Sequence, residues 1–428
     1  LIKELKSSLE TIKKNFLAFI LINIFLVSFY LFTKHSIGND SSISEWLINY
    51  QGGFTRRGLG GEVVIFFSRL FEITLRQSIM IVQLTIHSLY LVLVYYYIKE
   101  LKVNLIQLFA LYTPIFLLYP VAELEALGRK EALLFLFFIS FLFFSAQKFH
   151  KSIINNQVFF IAPIVCLIWE QFVLFFPFIA VVLIFKNDLK TFKESFQKLL
   201  VIFFPSILTF TYIFITPLSL EGHDIMCKHN INEFGEKCYM SAEMLTSSTI
   251  HFDTLWIHDK ATFVHYSRYI MIFIVGFLPL NILIFKNDFK EKNNFITKNF
   301  RLGTLFFLLY SPSLLLFMFG YDWGRWINIT YTFSILLYFY LLNNSLITNN
   351  GEVRNLLWNK IIKKKFIIGL IFFIFAFCWN PKTVIVADIA TNSGYKIIYN
   401  TAKRFFNFGS IRLLQDNPLI KFHKKYIE

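Results

Sequence analysis

Long apolar stretches separated by short charged connectors dominate this chain of 428 residues. A helix needs roughly 20 residues to cross the hydrocarbon core of a bilayer, which is about 30 Å thick. Hydrophobic residues make up 56% of the sequence and the mean hydropathy is +0.56, which excludes an ordinary soluble enzyme. We predict spans near 16–33, 78–97, 105–119, 131–147, 199–216, 269–285, 302–320, 327–346 and 366–379.

One further stretch, 158–185, is too long for a single ordinary span. It contains Pro163 and Pro177, and Glu170 lies at its middle. Because proline interrupts a helix and a buried carboxylate needs a partner, we expect a broken or re-entrant pair of short helices that meet at Glu170. One long tilted helix is the alternative. The predicted fold class is an all-α polytopic membrane protein with about 10–11 transmembrane helices, this pair included.

Lysine is concentrated in the connectors, and this distribution predicts the orientation of the chain. The basic clusters fall on one side of the membrane if the stretch 158–185 re-enters or crosses twice. That side is expected to be the cytoplasm, with the N-terminus inside and the first span retained as an anchor. The clusters are Lys3/Lys6/Lys13/Lys14, Lys186/Lys190/Lys193/Lys198, Lys286/Lys290/Lys292/Lys298/Arg301 and Arg354/Lys360/Lys363/Lys364/Lys365.

The same topology predicts one transmembrane domain over 1–380, with outer loops at 34–77 and 217–268. The tail 381–428 is outside by parity, but its basic content would equally suit the cytoplasm. The net charge of +15 is explained by the connectors, so we expect no nucleic-acid partner. The expected location is a membrane that the chain crosses several times.

A glycine-rich run in the first outer loop is the most informative local feature. This glycine loop (residues 49–62) contains five glycines and the adjacent pair Arg56 and Arg57. Glycine lets the backbone approach a ligand closely, and paired guanidinium groups match phosphate oxygens. The simpler alternative is a tight turn whose arginines meet lipid headgroups. After it, 62–76 is predicted to be an amphipathic helix in the outer interface, with its N-terminus directed at the loop.

Other charged and aromatic side chains are expected on the same outer face. We predict that a phosphate group is bound by Arg56, Arg57, Arg129, Lys130 and Arg325. Asp322 or Glu170 is the predicted catalytic base, and Trp323 and Trp326 are predicted to stack on a sugar ring. In the alternative, the two tryptophans belong to an aromatic belt and Asp322 simply pairs with Arg325.

Four cysteines occur in the sequence, and two of them, Cys227 and Cys238, lie eleven positions apart in one outer loop. Cys166 and Cys378 lie singly in apolar segments. We therefore predict a Cys227–Cys238 disulfide. Metal binding by Cys227, His229 and Cys238 is the alternative, although the sequence contains no compact CxxC pair there and no metal is predicted.

This layout of many spans, an amphipathic segment after the first outer loop, and Arg, Asp and Glu gathered on the outer face resembles two groups of bacterial membrane proteins. They are the O-antigen-polymerase-like proteins and the GT-C class of glycosyltransferases that use lipid-linked sugars. The resemblance implies a location in the bacterial inner membrane and transfer of a sugar from a polyprenyl-phosphate carrier without a cofactor. It also implies an acidic residue in the first outer loop, for which Asp40, Glu45 and Glu62 are the positions.

The expected partners are membrane lipid, the polyprenyl-phosphate-linked saccharide and other envelope-glycan assembly proteins. The alternatives are a transporter or flippase of a lipid-linked saccharide, and a non-catalytic subunit of an assembly complex. The sequence contains no GxxxxGK[ST], Rossmann or HExxH motif, so ATP hydrolysis, dinucleotide redox chemistry and zincin proteolysis lack support.

Overall fold

The computed structural model describes residues 2–37, 41–99, 101, 103–147, 149–239, 245, 261–349, 365–385, 397–398 and 401. The secondary structure of this part of the chain is helical, which confirms the predicted all-α fold class. Three short 3₁₀ helices span Glu45–Leu47, Glu170–Phe175 and Ser311–Ser313. The α-helices are α1 Ile2–Ile37, α2 Ser41–Ser44, α3 Leu59–Leu70, α4 Leu75–Ile98, α5 Leu105–Leu111, α6 Tyr119–Ala122, α7 Glu131–Ala146, α8 Lys151–Ile168, α9 Phe176–Asn187, α10 Phe192–Ile215, α11 Leu220–Phe234, α12 Phe263–Lys286, α13 Phe295–Asn299, α14 Leu302–Tyr310, α15 Leu314–Phe319, α16 Trp323–Asn343 and α17 Lys365–Phe377.

Six helical segments in the described residues are long and apolar enough to cross a membrane, so the chain is a multi-pass membrane protein. Shorter apolar helices are found at Glu131–Ala146, Leu302–Met318 and Phe366–Phe377. The six longer segments are Asn15–Ser36, Leu75–Ile98, Lys151–Ile168, Glu170–Asn187, Phe192–Ile215 and Phe263–Lys286.

Helix α16 lies at the centre of the bundle and is buried on all sides from Gly324 to Leu341. Its polar side chains bond to the backbone of the last turn of α5 and of the segment that follows it. Tyr331 Oη donates to Ala110 O at 2.7 Å, and Asn328 Nδ2 donates to Ile115 O at 2.8 Å. Buried polar groups need such partners, and these bonds fix α16 against its neighbours.

The predicted span 105–119 is wrong, because α5 ends at Leu111 and the chain continues as turns to Tyr119. Pro114 has no backbone N–H to continue the helix. Irregular backbone is tolerated at membrane depth only where it is buried in protein, and here α16 supplies the missing hydrogen bonds.

The predicted helix break at Glu170 is confirmed. Helix α8 ends at Ile168, Trp169 is extended with φ −154° and ψ 100°, and a 3₁₀ segment leads into α9. Pro177 lies in the first turn of α9, where its missing N–H costs no hydrogen bond. Glu170 is thereby placed at the junction between α8 and α9.

The predicted helix 62–76 has other bounds in the structure. Helix α3 begins earlier, at Leu59, and ends at Leu70, and Glu72 adopts a left-handed conformation with φ 53°. Helix α4 then begins after Thr74, whose side chain accepts from Gln77 N in a capping box. Arg76 therefore belongs to α4 and not to the interfacial helix.

The connectors form two ends of the bundle. At one end, called the basic end, Phe295 N donates to Leu189 O at 2.9 Å, and Thr348 N donates to Asp288 O at 2.9 Å. The loops after α9, α12 and α16 therefore meet there, together with Lys186, Lys190 and Lys290. At the other end, Gly324 N donates to Thr383 O at 3.0 Å, so the start of the tail lies beside α16. We call it the cluster end for the ion pairs described next.

Candidate functional site

The glycine loop folds back at the cluster end so that Arg57 points inward. Arg57 has a left-handed backbone with φ 65°, and its guanidinium binds Glu170 through two donors. Nε lies 2.9 Å from Oε2, and Nη2 lies 2.7 Å from Oε1. Lys130 Nζ donates to Arg57 O at 2.7 Å, which holds the strained turn in place. Residues 59–62 form the first turn of α3.

A second group of ion pairs is buried beside the first. Glu45 pairs with Arg129, and Arg325 Nη2 lies 3.7 Å from Glu45 Oε1. Arg325 also pairs with Asp322 and with Glu131. Trp46 Nε1 donates to Gly128 O at 2.8 Å, so the 3₁₀ turn that carries Glu45 is fixed to the segment that carries Arg129. These are charge-assisted contacts, although Arg325 Nε and one carboxylate oxygen each of Glu45 and Glu131 are buried without a hydrogen-bond partner among the described residues.

The cluster contains as many cationic side chains as carboxylates. The cations Arg57, Arg129, Lys130 and Arg325 face the carboxylates Glu45, Glu131, Glu170 and Asp322. Burial by itself would raise the pKa of Glu45, but Arg129, Arg325 and Arg57 lower it to about 2. Glu45 is therefore ionised at neutral pH and is a poor proton acceptor there.

Lys130 is the titratable member of the cluster. Its side chain is fully buried, with Nζ 5.6 Å from the centre of the Trp46 ring and with Gly60 leaving room for its tip. Burial lowers the pKa of Lys130 to about 7, with Arg57 acting in the same direction against the attraction of Glu45 and Glu170. The cluster can therefore change its net charge near neutral pH.

The first-loop carboxylates have different positions. Asp40 lies outside the described residues. Glu62 accepts from Tyr50 N at 2.7 Å and so braces the glycine loop instead of joining the cluster. Glu45 lies in the cluster itself.

Arg56 is half-buried next to Arg57, and its charge acts on the Glu170 carboxylate. The predicted phosphate-binding residues Arg56, Arg57, Arg129, Lys130 and Arg325 thus lie at one end of the bundle, together with the predicted bases Asp322 and Glu170. Their roles as phosphate ligands and base remain predictions.

Both predicted sugar-stacking tryptophans pack against protein. The Trp326 ring is 5% exposed, lies 6.3 Å from Trp169 between ring centres, and is covered by Arg325. Trp323 contacts the rings of Tyr266, Tyr269 and Phe317. A sugar would have to displace protein from the Trp326 ring, whereas Trp323 is half-buried, and the stacking role of both remains a prediction.

The 217–268 loop contributes helix α11, which packs on the glycine loop. A Cβ on Gly52 would lie 1.8 Å from Gly222 O, so the two backbones touch at glycines. Asn49 Nδ2 donates to Asn230 Oδ1 at 2.8 Å. Arg69 binds Glu233, and Arg76 binds Glu236.

The predicted Cys227–Cys238 disulfide is present and closes the end of α11. In the metal alternative, His229 is the wrong histidine, because it pairs with Glu233 at 2.7 Å. His223 is the histidine that lies with the two cysteines, and both of their sulfur atoms are used in the disulfide.

Sequence reasoning missed Glu131, Glu233 and Glu236. Glu131 pairs with a residue 194 positions away, and such a pairing leaves no local signal. Glu233 lies in the last turn of α11 and Glu236 follows its C-cap residue Gly235, so no helical interval in the sequence indicated that both face the glycine loop side.

Comparison with known proteins finds no matching family model, no matching curated protein and no matching solved structure. The functional argument therefore depends on the cluster of buried ion pairs beside the glycine loop.

Proposed function

We propose that this chain is an integral membrane glycosyltransferase or polysaccharide polymerase that uses a polyprenyl-phosphate-linked sugar donor on the extracytoplasmic face. The observation that carries the proposal is the contact of Arg57, Glu170 and Lys130 at the cluster end, beside Arg325 and Asp322. Guanidinium groups and carboxylates that lie together next to a membrane span suit a substrate with a phosphate and a hydroxyl acceptor.

In the proposed reaction, the bond between the sugar anomeric carbon and the phosphate oxygen breaks. A new bond forms from that carbon to an acceptor hydroxyl oxygen, and the hydroxyl proton passes to a carboxylate, Glu170 or Asp322. The leaving phosphate gains negative charge, which the guanidinium groups of the cluster stabilise. No nucleotide or metal is needed for this balance of atoms and charge.

Exchange of ion-pair partners would couple substrate binding to base activation. In the free protein Arg57 is held by Glu170. When Arg57 turns toward a phosphate, Glu170 loses the cation that stabilises its charge and becomes a better proton acceptor. Binding of the donor would thus activate the carboxylate that accepts the hydroxyl proton.

Transfer by the purified protein in liposomes, with a lipid-linked oligosaccharide as donor, tests the proposal. Arg57→Ala is expected to lower the transfer rate roughly hundredfold or more, because one charge-stabilising donor is lost at the leaving group. Arg69→Ala is the matched control in the same region, since Arg69 is 52% exposed and pairs with Glu233 away from the cluster. Equal rates in the two variants, at equal protein abundance, would contradict the proposal.

Transport is the second candidate function. The helix break at Trp169 and the exchangeable pair Arg57–Glu170 could equally form a gate for a lipid-linked saccharide. The same liposomes distinguish the two functions: a transporter moves the intact donor between leaflets and produces no new glycosidic bond.

A further inference from the structure

The glycine loop lies across the ends of two neighbouring membrane helices, α8 and α10, which pack along their length. Its Arg57 binds Glu170, two positions after the end of α8. Its Phe54 contacts Tyr212 near the end of α10, with 4.7 Å between ring centres. The loop therefore joins the charged cluster to a surface that faces the bilayer.

An aromatic group forms this junction. Tyr50 and Phe54 stack with ring centres 5.6 Å apart, and a turn closed by Gly53 N and Tyr50 O at 3.0 Å holds them together. Tyr212 is 49% exposed and is the membrane-facing member of the group. We call Phe54 and Tyr212 the aromatic gate.

An apolar stripe leads along α10 to the gate. Leu208, Tyr212 and Ile215 are spaced by four and three residues, so they share one face of the helix. All three are exposed and lie on a predicted span, so this face contacts lipid chains. A lipid that follows the stripe arrives at Phe54.

The accessible cations lie at the same edge of the cluster. The Arg57 side chain is 19% exposed, whereas those of Arg129 and Arg325 are 9% and 7% exposed. Arg56 is half-buried beside it and adds a second positive charge near Glu170. A headgroup that comes from the bilayer along α10 therefore meets Arg56 and Arg57 first.

We infer that the aromatic gate holds the first isoprenoid units of a polyprenyl phosphate, whose phosphate lies against Arg56 and Arg57. The lipid enters sideways from the bilayer along α10, and its chain stays in the membrane. The identity of the lipid rests on the proposed function, whereas the route rests on the contacts of Phe54 and Tyr212. Ring faces and an apolar stripe match a chain, and the guanidinium groups match its phosphate.

Binding to the full-length protein in phosphatidylcholine nanodiscs tests this inference. Phe54→Ala and Tyr212→Ala are each expected to weaken binding of undecaprenyl phosphate about tenfold, because each removes a ring from an apolar contact. Both variants should bind methyl phosphate as the unaltered protein does, since that probe has no chain. Phe54→Tyr and Tyr212→Phe should retain chain binding.

Phe214→Ala is the matched control, because Phe214 is 66% exposed on α10 but points away from Tyr212. Unchanged affinity in the two gate variants would overturn the inference, as would an equal loss in the Phe214 variant. Equal binding of phosphatidylglycerol at the gate would also overturn it, by showing a general site for anionic lipid.

The inference and the proposed function fail differently. If undecaprenyl phosphate binding depends on Phe54 and Tyr212 but the protein transfers no sugar, the proposed function is wrong and the lipid site is supported. If the rate of sugar transfer is unchanged by Phe54→Ala and by Tyr212→Ala, the lipid site is wrong and the proposed function is supported.

Discussion

Two buried ion pairs, Arg57–Glu170 and Arg129–Glu45, join parts of the chain that are far apart in the sequence. Arg57, Glu170 and Arg325 were expected on one face of the membrane, and the structure brings them to one end of the bundle. The pairing of Arg57 with Glu170 crosses 113 positions, and that of Arg129 with Glu45 crosses 84. Helix packing determines which of these residues pair, and a local sequence pattern contains no information about that packing.

The pair formed by Arg57 and Glu170 is expected to be strongly coupled. Arg57→Met and Glu170→Gln should each lower the free energy of unfolding by roughly 3–5 kcal/mol, because each leaves a buried partner without its counter-charge. The double variant should lose less than the sum, by about 1–3 kcal/mol. Thermal unfolding in detergent measures this cycle.

The exposed pair Arg69–Glu233 is the control for that cycle, since both side chains are more than a third exposed. Its coupling should stay under about 1 kcal/mol. Additive effects at Arg57 and Glu170 would mean that their bidentate contact contributes nothing to stability.

Lys130 gives the protein a stability that depends on pH. Its pKa is lowered from 10.5 to about 7 by burial, so the folded state binds fewer protons than the unfolded state between these values. Stability is therefore expected to rise with pH from about 7 toward 10, by about 1.4 kcal/mol per pH unit at most. Below pH 7 the lysine is charged in both states and the slope vanishes.

Lys130→Met should remove this slope, because methionine fills the space without a proton to release. Melting temperatures of both proteins from pH 6 to 9 measure it. A slope that is the same with and without Lys130 would show that another group titrates.

Helix breaks were only partly predictable at the scale of the element. Glu170 between Pro163 and Pro177 in an over-long stretch indicated the break that is observed. The end of α5 at Leu111 was missed although Pro114 follows it, because hydropathy stays high across the turns. The carbonyl groups left without helical partners at this break accept hydrogen bonds from Asn328 and Tyr331 of α16, which offsets the cost of burying them.

Helix α11 is expected to position the glycine loop. Gly222→Ala would place a Cβ 2.4 Å from Gly52 O, so α11 and the loop must separate. We expect a loss of about 1–3 kcal/mol in stability and faster hydrogen exchange in residues 48–58. Gly369→Ala is the control, since a Cβ there meets nothing within 4 Å. Unchanged exchange in the Gly222 variant would show that the loop keeps its shape without α11.

At the scale of the whole molecule, the two ends of the bundle differ in chemistry. The basic end collects lysines in loops joined by backbone bonds such as Phe295 N to Leu189 O. The cluster end collects the buried arginines, the disulfide and the glycine loop. Hydropathy and lysine counts predicted this division, because orientation depends on composition. Which residues contact each other at the cluster end depends on how the helices pack, and hydropathy and lysine counts do not predict that.

The division predicts how the protein faces the membrane. Lysine-rich loops are retained in the cytoplasm, so the basic end should be inside and the cluster end outside. Gln51→Cys and Glu221→Cys place exposed thiols at the cluster end, and Lys198→Cys and Lys292→Cys place them at the basic end. In intact cells a membrane-impermeant maleimide should label the first two only, and permeabilisation should add the other two.

Cys166 is buried and Cys378 is partly buried, so the unaltered protein gives the background for this labelling. Labelling of the Lys292 thiol and not the Gln51 thiol would invert the orientation and place the cluster against the cytoplasm. A soluble nucleotide-linked sugar would then be within reach of the site, and the lipid-linked donor would lose its main support. Labelling of both ends from one side would contradict the bundle itself, because α10 and α12 would no longer cross.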